Sequence, residues 1–263
     1  MASALPFTIL EQTRLRVVAK VRELRTGRNW TQAELAAHLG LSQARLSEIE
    51  RGGGSFSAEQ LLEVLRLFNV SVDAFLPPQD PEDELQNALA RLGAIELREL
   101  PDVLPSARVA EVISVARETL LAPRSPRLLL ALAPVLIKNL DAVNLDVLHA
   151  ELAGLGFPAR VPWLVDNVAA ALLQVGVGKG RPAAARWHRA RLVLGHFLAR
   201  HPAPVQGATP PACFDHLDAN IRSERTLAKA LEASSGISRR WGVVTELHPE
   251  HFADALRASN AAV

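Results

Sequence analysis

The segment Gln32–Arg51, QAELAAHLGLSQARLSEIER, most narrows what this chain can fold into. Two apolar stripes of helical spacing, Leu35 with Leu39 and Leu46 with Ile49, belong to helical patterns separated only by the turn Gly40-Leu41-Ser42. Two short helices must therefore cross steeply with almost no loop between them. The crossing needs a small residue, supplied by Ala36, and a turn residue tolerant of left-handed geometry, supplied by Gly40. Thr31 and Glu34 make a capping box for the first helix, and Ser42 caps the second. Together these constraints describe a helix-turn-helix unit.

The flanking sequence extends the same pattern. A helix is expected over Leu10–Thr26, with Leu15, Val18, Val21 and Leu24 on one face. The Gly52-Gly53-Gly54-Ser55 run reads as a flexible connector. Ser57 and Gln60 form a second capping box, opening a helix that carries Leu61, Leu62, Val64, Leu65 and Phe68. Ser71 starts a last short helix with Val72 and Phe75. Pro77, Pro78 and Pro81 then interrupt the pattern, and the acidic run Asp80–Glu84 keeps the chain solvated. The expected organisation is a first domain over residues 1–76, a Pro/acidic link over 77–84, and a second domain over 85–263.

The second domain also reads as helical. Apolar residues make up 49% of the chain and charged residues 22%, enough for a sizeable core, and with no Tyr that core falls mainly to Leu, Val and Ala. Ser106 is expected to cap a run through Leu121, Ser125-Pro126 to open LLLALAPVLIKNL, and Asn144 to cap LDVLHAELAG. Pro162 precedes WLVDNVAAALLQV, and Pro182 opens AAARWHRARLVLGHFLARH. Residues 221–231 and 249–258 complete the set. No alternating strand pattern and no fixed internal repeat is present. The fold class is all-α throughout.

Thr31-Gln32, Leu35-Ala36, Gly40-Leu41-Ser42 and Leu46-Ser47-Glu48-Ile49-Glu50-Arg51-Gly52 strongly resemble the Cro-like (XRE) phage-repressor family over about residues 10–76. The resemblance implies a five-helix, lambda-repressor-like domain that binds double-stranded DNA. It places Gln43, Ala44, Arg45, Ser47 and Glu48 on the face that enters the major groove. There a Gln can bond adenine N6 and N7, Ala44 can meet a thymine methyl, and Glu48 can accept from cytosine N4. Arg45 reaches either a guanine or a phosphate. Gln32, Ser42 and Arg51 fall at phosphate-contacting positions, the first two at helix N-termini whose amides favour anions. Arg25 and Glu50 match the family's buried inter-helix ion pair, a structural role.

The formal net charge of +1 does not by itself announce a nucleic-acid partner. A second basic stretch is formed by Lys179, Arg181, Arg186, Arg189 and Arg191, with Arg200 beyond them, within a region free of acidic residues from Asn167 to Phe214. It reads as a solvated helix face, or else as a second surface for DNA phosphate or an acidic protein. The lone Cys213 precludes an intramolecular disulfide and fits a reducing cytoplasm. No leader pattern opens the chain, and the longest apolar run, Leu128–Ile137, is too short to cross a bilayer.

No catalytic constellation, cofactor motif or metal-ligand set stands out, so an enzyme is not expected. Gly176–Gly180 lacks phosphate-loop spacing, and His248 with His251 lacks a third ligand. Gly54-Ser55 lacks the paired Asp residues of a nucleotidyltransferase, and Cys213 lacks a local partner for nucleophilic chemistry. The expected function is a cytoplasmic, nucleoid-associated transcriptional regulator, acting as a homodimer on an operator near its own gene and repressing it. Residues 237–252 resemble the C-terminal part of regulators encoded beside nucleotidyltransferase toxins, which implies an alternative: an antitoxin whose second domain binds a toxin protein. In the plainer reading of that segment, Trp241 and Phe252 are core anchors.

Overall fold

The computed structural model describes residues 9–77, 79–101, 103, 105–123, 125–175, 181–204, 215–218, 221 and 223–261. The chain divides into two units, residues 1–79 and 80–263, each with its own apolar core.

In the first unit, α1 (Ile9–Gly27) turns Val18 and Val21 inward and ends where Asn29 takes left-handed geometry at φ 58°. Leu15, expected on the buried face, is 40% exposed. Val17, on the opposite side of the helix, packs against the core with Leu24. Thr31 and Glu34 close their capping box at the start of α2 (Gln32–His38). Gly40 at φ 65° reverses the chain, and Ser42 accepts from the Arg45 amide at the start of α3 (Gln43–Glu50). Ser57 caps α4 (Ala58–Phe68), and a 3₁₀ turn at Val72–Phe75 completes the unit. Leu35, Ala36, Leu39, Leu46, Val64, Phe68 and Phe75 meet Val21 in one core.

The second unit holds α5 (Pro81–Leu92), α6 (Val112–Leu121), α7 (Pro126–Lys138), α8 (Leu145–Gly154) and α9 (Arg160–Val175). Then come α10 (Arg181–Arg200), α11 (Glu224–Ala233), α12 (Gly236–Trp241) and α13 (Pro249–Ala261). Helices α7 and α9 form the centre: Leu128–Ile137 is buried except for the half-buried Leu130, and α13 lies against both. That burial accounts for the long apolar run, and no helix among the described residues is long and apolar enough to cross a membrane. Trp163 of α9 stacks edge-on with Phe252 and donates to Ser238 Oγ at 3.0 Å. Trp241 and Phe252 are core side chains, as their plainer reading has it. Two short parallel strands, β1 (Asp215–His216) and β2 (Val243–Val244), are the sole departure from helix-and-loop structure among the described residues.

Several boundaries differ from expectation for local reasons. The acidic stretch read as a link is split: Asp80 accepts from the Glu82 amide, Pro81 takes the first helical position, and Glu82–Glu84 form the first turn of α5. Carboxylates there complement the exposed amides of a helix start. Ser106 caps only a 3₁₀ turn, Ala107–Val109, and α6 begins at Val112. Pro162 lies within the first turn of α9, where its missing N–H costs nothing. Gly176–Gly180, Lys179 and Cys213 lie outside the described residues, as does the side chain of Arg181.

Candidate nucleic-acid interface

Helix α3 has two unlike faces. Leu46 and Ile49 are 0% and 1% exposed and anchor it to the first unit's core. Gln43, Ala44, Arg45 and Glu48 are exposed on the other side, and Ser47 is half-buried at the margin. Both ends are fixed by backbone hydrogen bonds: Leu46 N–H donates to Ser42 O at 3.0 Å, and Gly53 N–H to Glu48 O at 2.9 Å. Gly52 supports the latter turn at φ 86°.

Glu50 ties α3 to the two helices before it. Its carboxylate accepts from Arg25 Nε at 2.7 Å and Nη2 at 3.0 Å, and from Gln32 Nε2 at 2.8 Å. Arg25 also donates to Trp30 O at 2.7 Å. Burial pushes the Glu50 carboxyl up, but hydrogen bonds from Arg25 and Gln32, with the charges of Arg25 and Arg22, outweigh it and hold it below its ordinary value. The Gln32 side chain is thus engaged inward through one amide N–H, leaving its second N–H for a ligand.

On the exposed face Arg45 and Glu48 pair at 2.7 Å, with side chains 47% and 50% exposed. Such a pair is worth about 0–1 kcal/mol, so either group can be drawn off by a better partner. Arg51 Nε donates to Ser47 O at 3.2 Å. The Ser42 hydroxyl is committed to the cap, and the Gln43 and Ala44 amides stand at the helix start.

The sequence did not reveal Arg14. Its Nη1 donates to Gly52 O at 2.8 Å and to Gly54 O at 3.1 Å, clamping the segment after α3 onto α1. The Gly52–Ser55 run is therefore a tied loop, not the flexible connector its composition suggests, because its carbonyls have a cation 38 to 40 residues away in sequence. Arg28 was also unread: it lies over the Phe68 ring at 4.9 Å and donates to Leu67 O at 2.6 Å, closing α1 against α4.

The second basic stretch is less uniform than its composition. Arg189 pairs with Asp141, and Arg200 with Asp146 at 2.7 Å, so carboxylates from elsewhere in the fold offset part of the charge. Arg186 and Arg191 are exposed. The His248 ring Nε2 bonds Ala233 O at 2.8 Å, and the His248 backbone N–H donates to His251 Nδ1 at 3.1 Å, which caps the start of α13. Among the described residues no group of three His, Cys, Asp or Glu could hold a metal ion.

Comparison with known proteins agrees with this geometry. The helix-turn-helix family model matches residues 21–75, the segment that holds α2, α3 and α4. Over 61 residues, 23% of this chain, the sequence is 36% identical to the HTH-type transcriptional activator BcrR of Enterococcus faecalis. The match spans 30% of that relative's length. No solved structure matches the chain.

Proposed function

We propose that this chain is a transcriptional regulator that binds double-stranded DNA sequence-specifically through the exposed face of α3. The observation that carries this reading is the division of that helix. Its inner face is locked by Leu46, Ile49 and Glu50, while Gln43, Ala44, Arg45 and Glu48 stand free of the core. A helix anchored on one face and presenting donors, acceptors and a methyl group on the other suits the major groove, where each base pair shows a distinct pattern of donors and acceptors. Gln43 is the reader for adenine, Ala44 for a thymine methyl, and Arg45 and Glu48 separate on binding to reach guanine and cytosine. Gln32, Ser42 and Arg51 position the domain on phosphates, the first two through backbone amides at helix starts and Gln32 also through its second side-chain N–H.

The regulator acts as a dimer, presenting two α3 helices to half-sites one helical turn, about 34–36 Å, or a multiple of it apart. It represses from an operator near its own gene. BcrR is named as an activator, so the sign of regulation needs its own assay, a reporter fused to the upstream DNA. Binding itself is tested by footprinting that DNA over a salt series. The expected result is protection of paired half-sites, with affinity falling as salt rises. Equal affinity for unrelated duplexes would overturn the proposal.

A further inference from the structure

We propose that the second unit binds a small monocarboxylate in the pocket formed by the end of α5 with α7, α10 and α13. The pocket has a volume of about 70 Å³. Its floor is apolar: Trp187, Ile137 and Leu256 are each no more than 5% exposed, and Pro134 lies beside them. Ile95, 46% exposed, forms an open wall. Two cations complete the lining, Lys138 from α7 and Arg186 from α10.

Neither cation is paired with a carboxylate among the described residues. The contrast with their neighbours is direct, because Arg189, one turn beyond Arg186, is paired with Asp141. Two like charges lining one small pocket repel each other, and an anion between them removes that repulsion.

The space left by the missing side chain of Gly93 sets the course of the Lys138 stem. Gly93 follows α5 at φ 124°, and a Cβ at that position would collide with Lys138 Cδ. The lysine stem therefore lies across the glycine, with Nζ about 3.3 Å from where that Cβ would stand. Backbone on both sides is pinned. Asn139 Nδ2 donates to Leu92 O at 2.8 Å, and Ser259 Oγ donates to Gly93 O at 3.3 Å. With the Gly93 carbonyl already satisfied, the ammonium and the guanidinium are the groups left to receive a ligand.

An apolar floor under two donors defines the ligand class. A short hydrocarbon stem can rest on Trp187 and Leu256 while its carboxylate takes charge-assisted hydrogen bonds from Lys138 and Arg186. A space of about 70 Å³ over that apolar floor suits acids of a few carbon atoms. This binding does not depend on the DNA-reading role of α3, since all its groups belong to the second unit.

The test is calorimetric titration of the full chain with acetate, propionate and butyrate at constant ionic strength, with tryptophan emission recorded in parallel. Propionamide serves as the uncharged match and chloride as the bare anion. The expected result is saturable binding of at least one acid, with an emission change that disappears in Trp187→Phe. Lys138→Gln and Arg186→Gln should each weaken it by about tenfold or more. Both residues are exposed, so these variants should keep the far-UV circular dichroism of the parent. Ile95→Trp, which narrows the open wall without altering charge, should abolish binding. No saturable binding of any of the three acids, equal binding of propionamide or chloride, or undiminished affinity in both charge variants would overturn the proposal.

Discussion

Glu50 at the end of α3 and Arg25 in the last turns of α1 face each other through two hydrogen bonds, their side chains 3% and 11% exposed. A pair this buried offers less net stability than its distances suggest, because both ions have been taken out of water. Breaking one side is another matter. Glu50→Ala leaves Arg25 buried without its partner and should cost about 3–5 kcal/mol. Urea unfolding of the full chain, with hydrogen exchange of the α1 and α3 amides, checks this. A loss confined to a few tenths of a kcal/mol would show that water replaces the carboxylate.

The same pair sets an acid dependence. The Glu50 carboxyl is held below its ordinary value in the folded chain, so the unfolded chain binds its proton more readily. Its stabilisation is complete above the unfolded value of about 4.5 and is lost as pH falls through the lower folded value. Exchange protection of α3 should therefore fall in acid, and Glu50→Gln should flatten that part of the profile. An unchanged profile in the variant would assign the acid loss to other carboxylates.

Arg14 makes a separate prediction. Removing its two bonds to the Gly52 and Gly54 carbonyls in Arg14→Ala should cost about 1–2 kcal/mol and release the loop that follows α3. Faster amide exchange confined to residues 52–55 is the expected signature. If exchange there matches the parent, the turn formed by Gly52 and Gly53 is sufficient without the clamp.

His149 predicts a pH response in the second unit. Burial, then the charge of His201, holds its imidazole below 6.5, while Asp146 opposes the shift. Its Nδ1 is buried and makes no hydrogen bond, and its ring meets Phe197 and His201 edge-on. The folded state favours the neutral ring, so stability is full above pH 6.5 and declines as pH falls below it. Melting of the full chain at pH 7.5 and 5.5 should show a smaller drop in His149→Gln than in the parent. An equal drop in both would remove His149 from the account.

What could be read in advance was what depends on neighbouring residues. Thr31 with Glu34, Ser42, Ser57 and Asn144 are caps whose partners lie two or three residues away, so their helices begin where the pattern says. Gly40 likewise needs only its own backbone geometry. Composition misled where it outweighed position: Asp80-Pro81 followed by three carboxylates is a helix start, though its charge and proline suggest a solvated link. The unread features join distant segments. Arg160 donates to Asp215 at 2.7 Å across 55 residues and to the carbonyls of Leu120 and Leu121, anchoring β1 beside α9. Arg14 and the Gly52–Gly54 carbonyls are a similar case. Nothing in the sequence near either partner marks such contacts, because the fold alone makes them neighbours.

The central claim is that the outer face of α3 reads bases, and selection of binding sites from random duplex DNA tests it most directly. The parent chain should enrich a defined motif, and Gln43→Ala should lose discrimination at one or two positions of it by about 1–3 kcal/mol while the rest of the motif persists. No enriched motif for the parent, or an identical motif and preference for Gln43→Ala, would contradict the account.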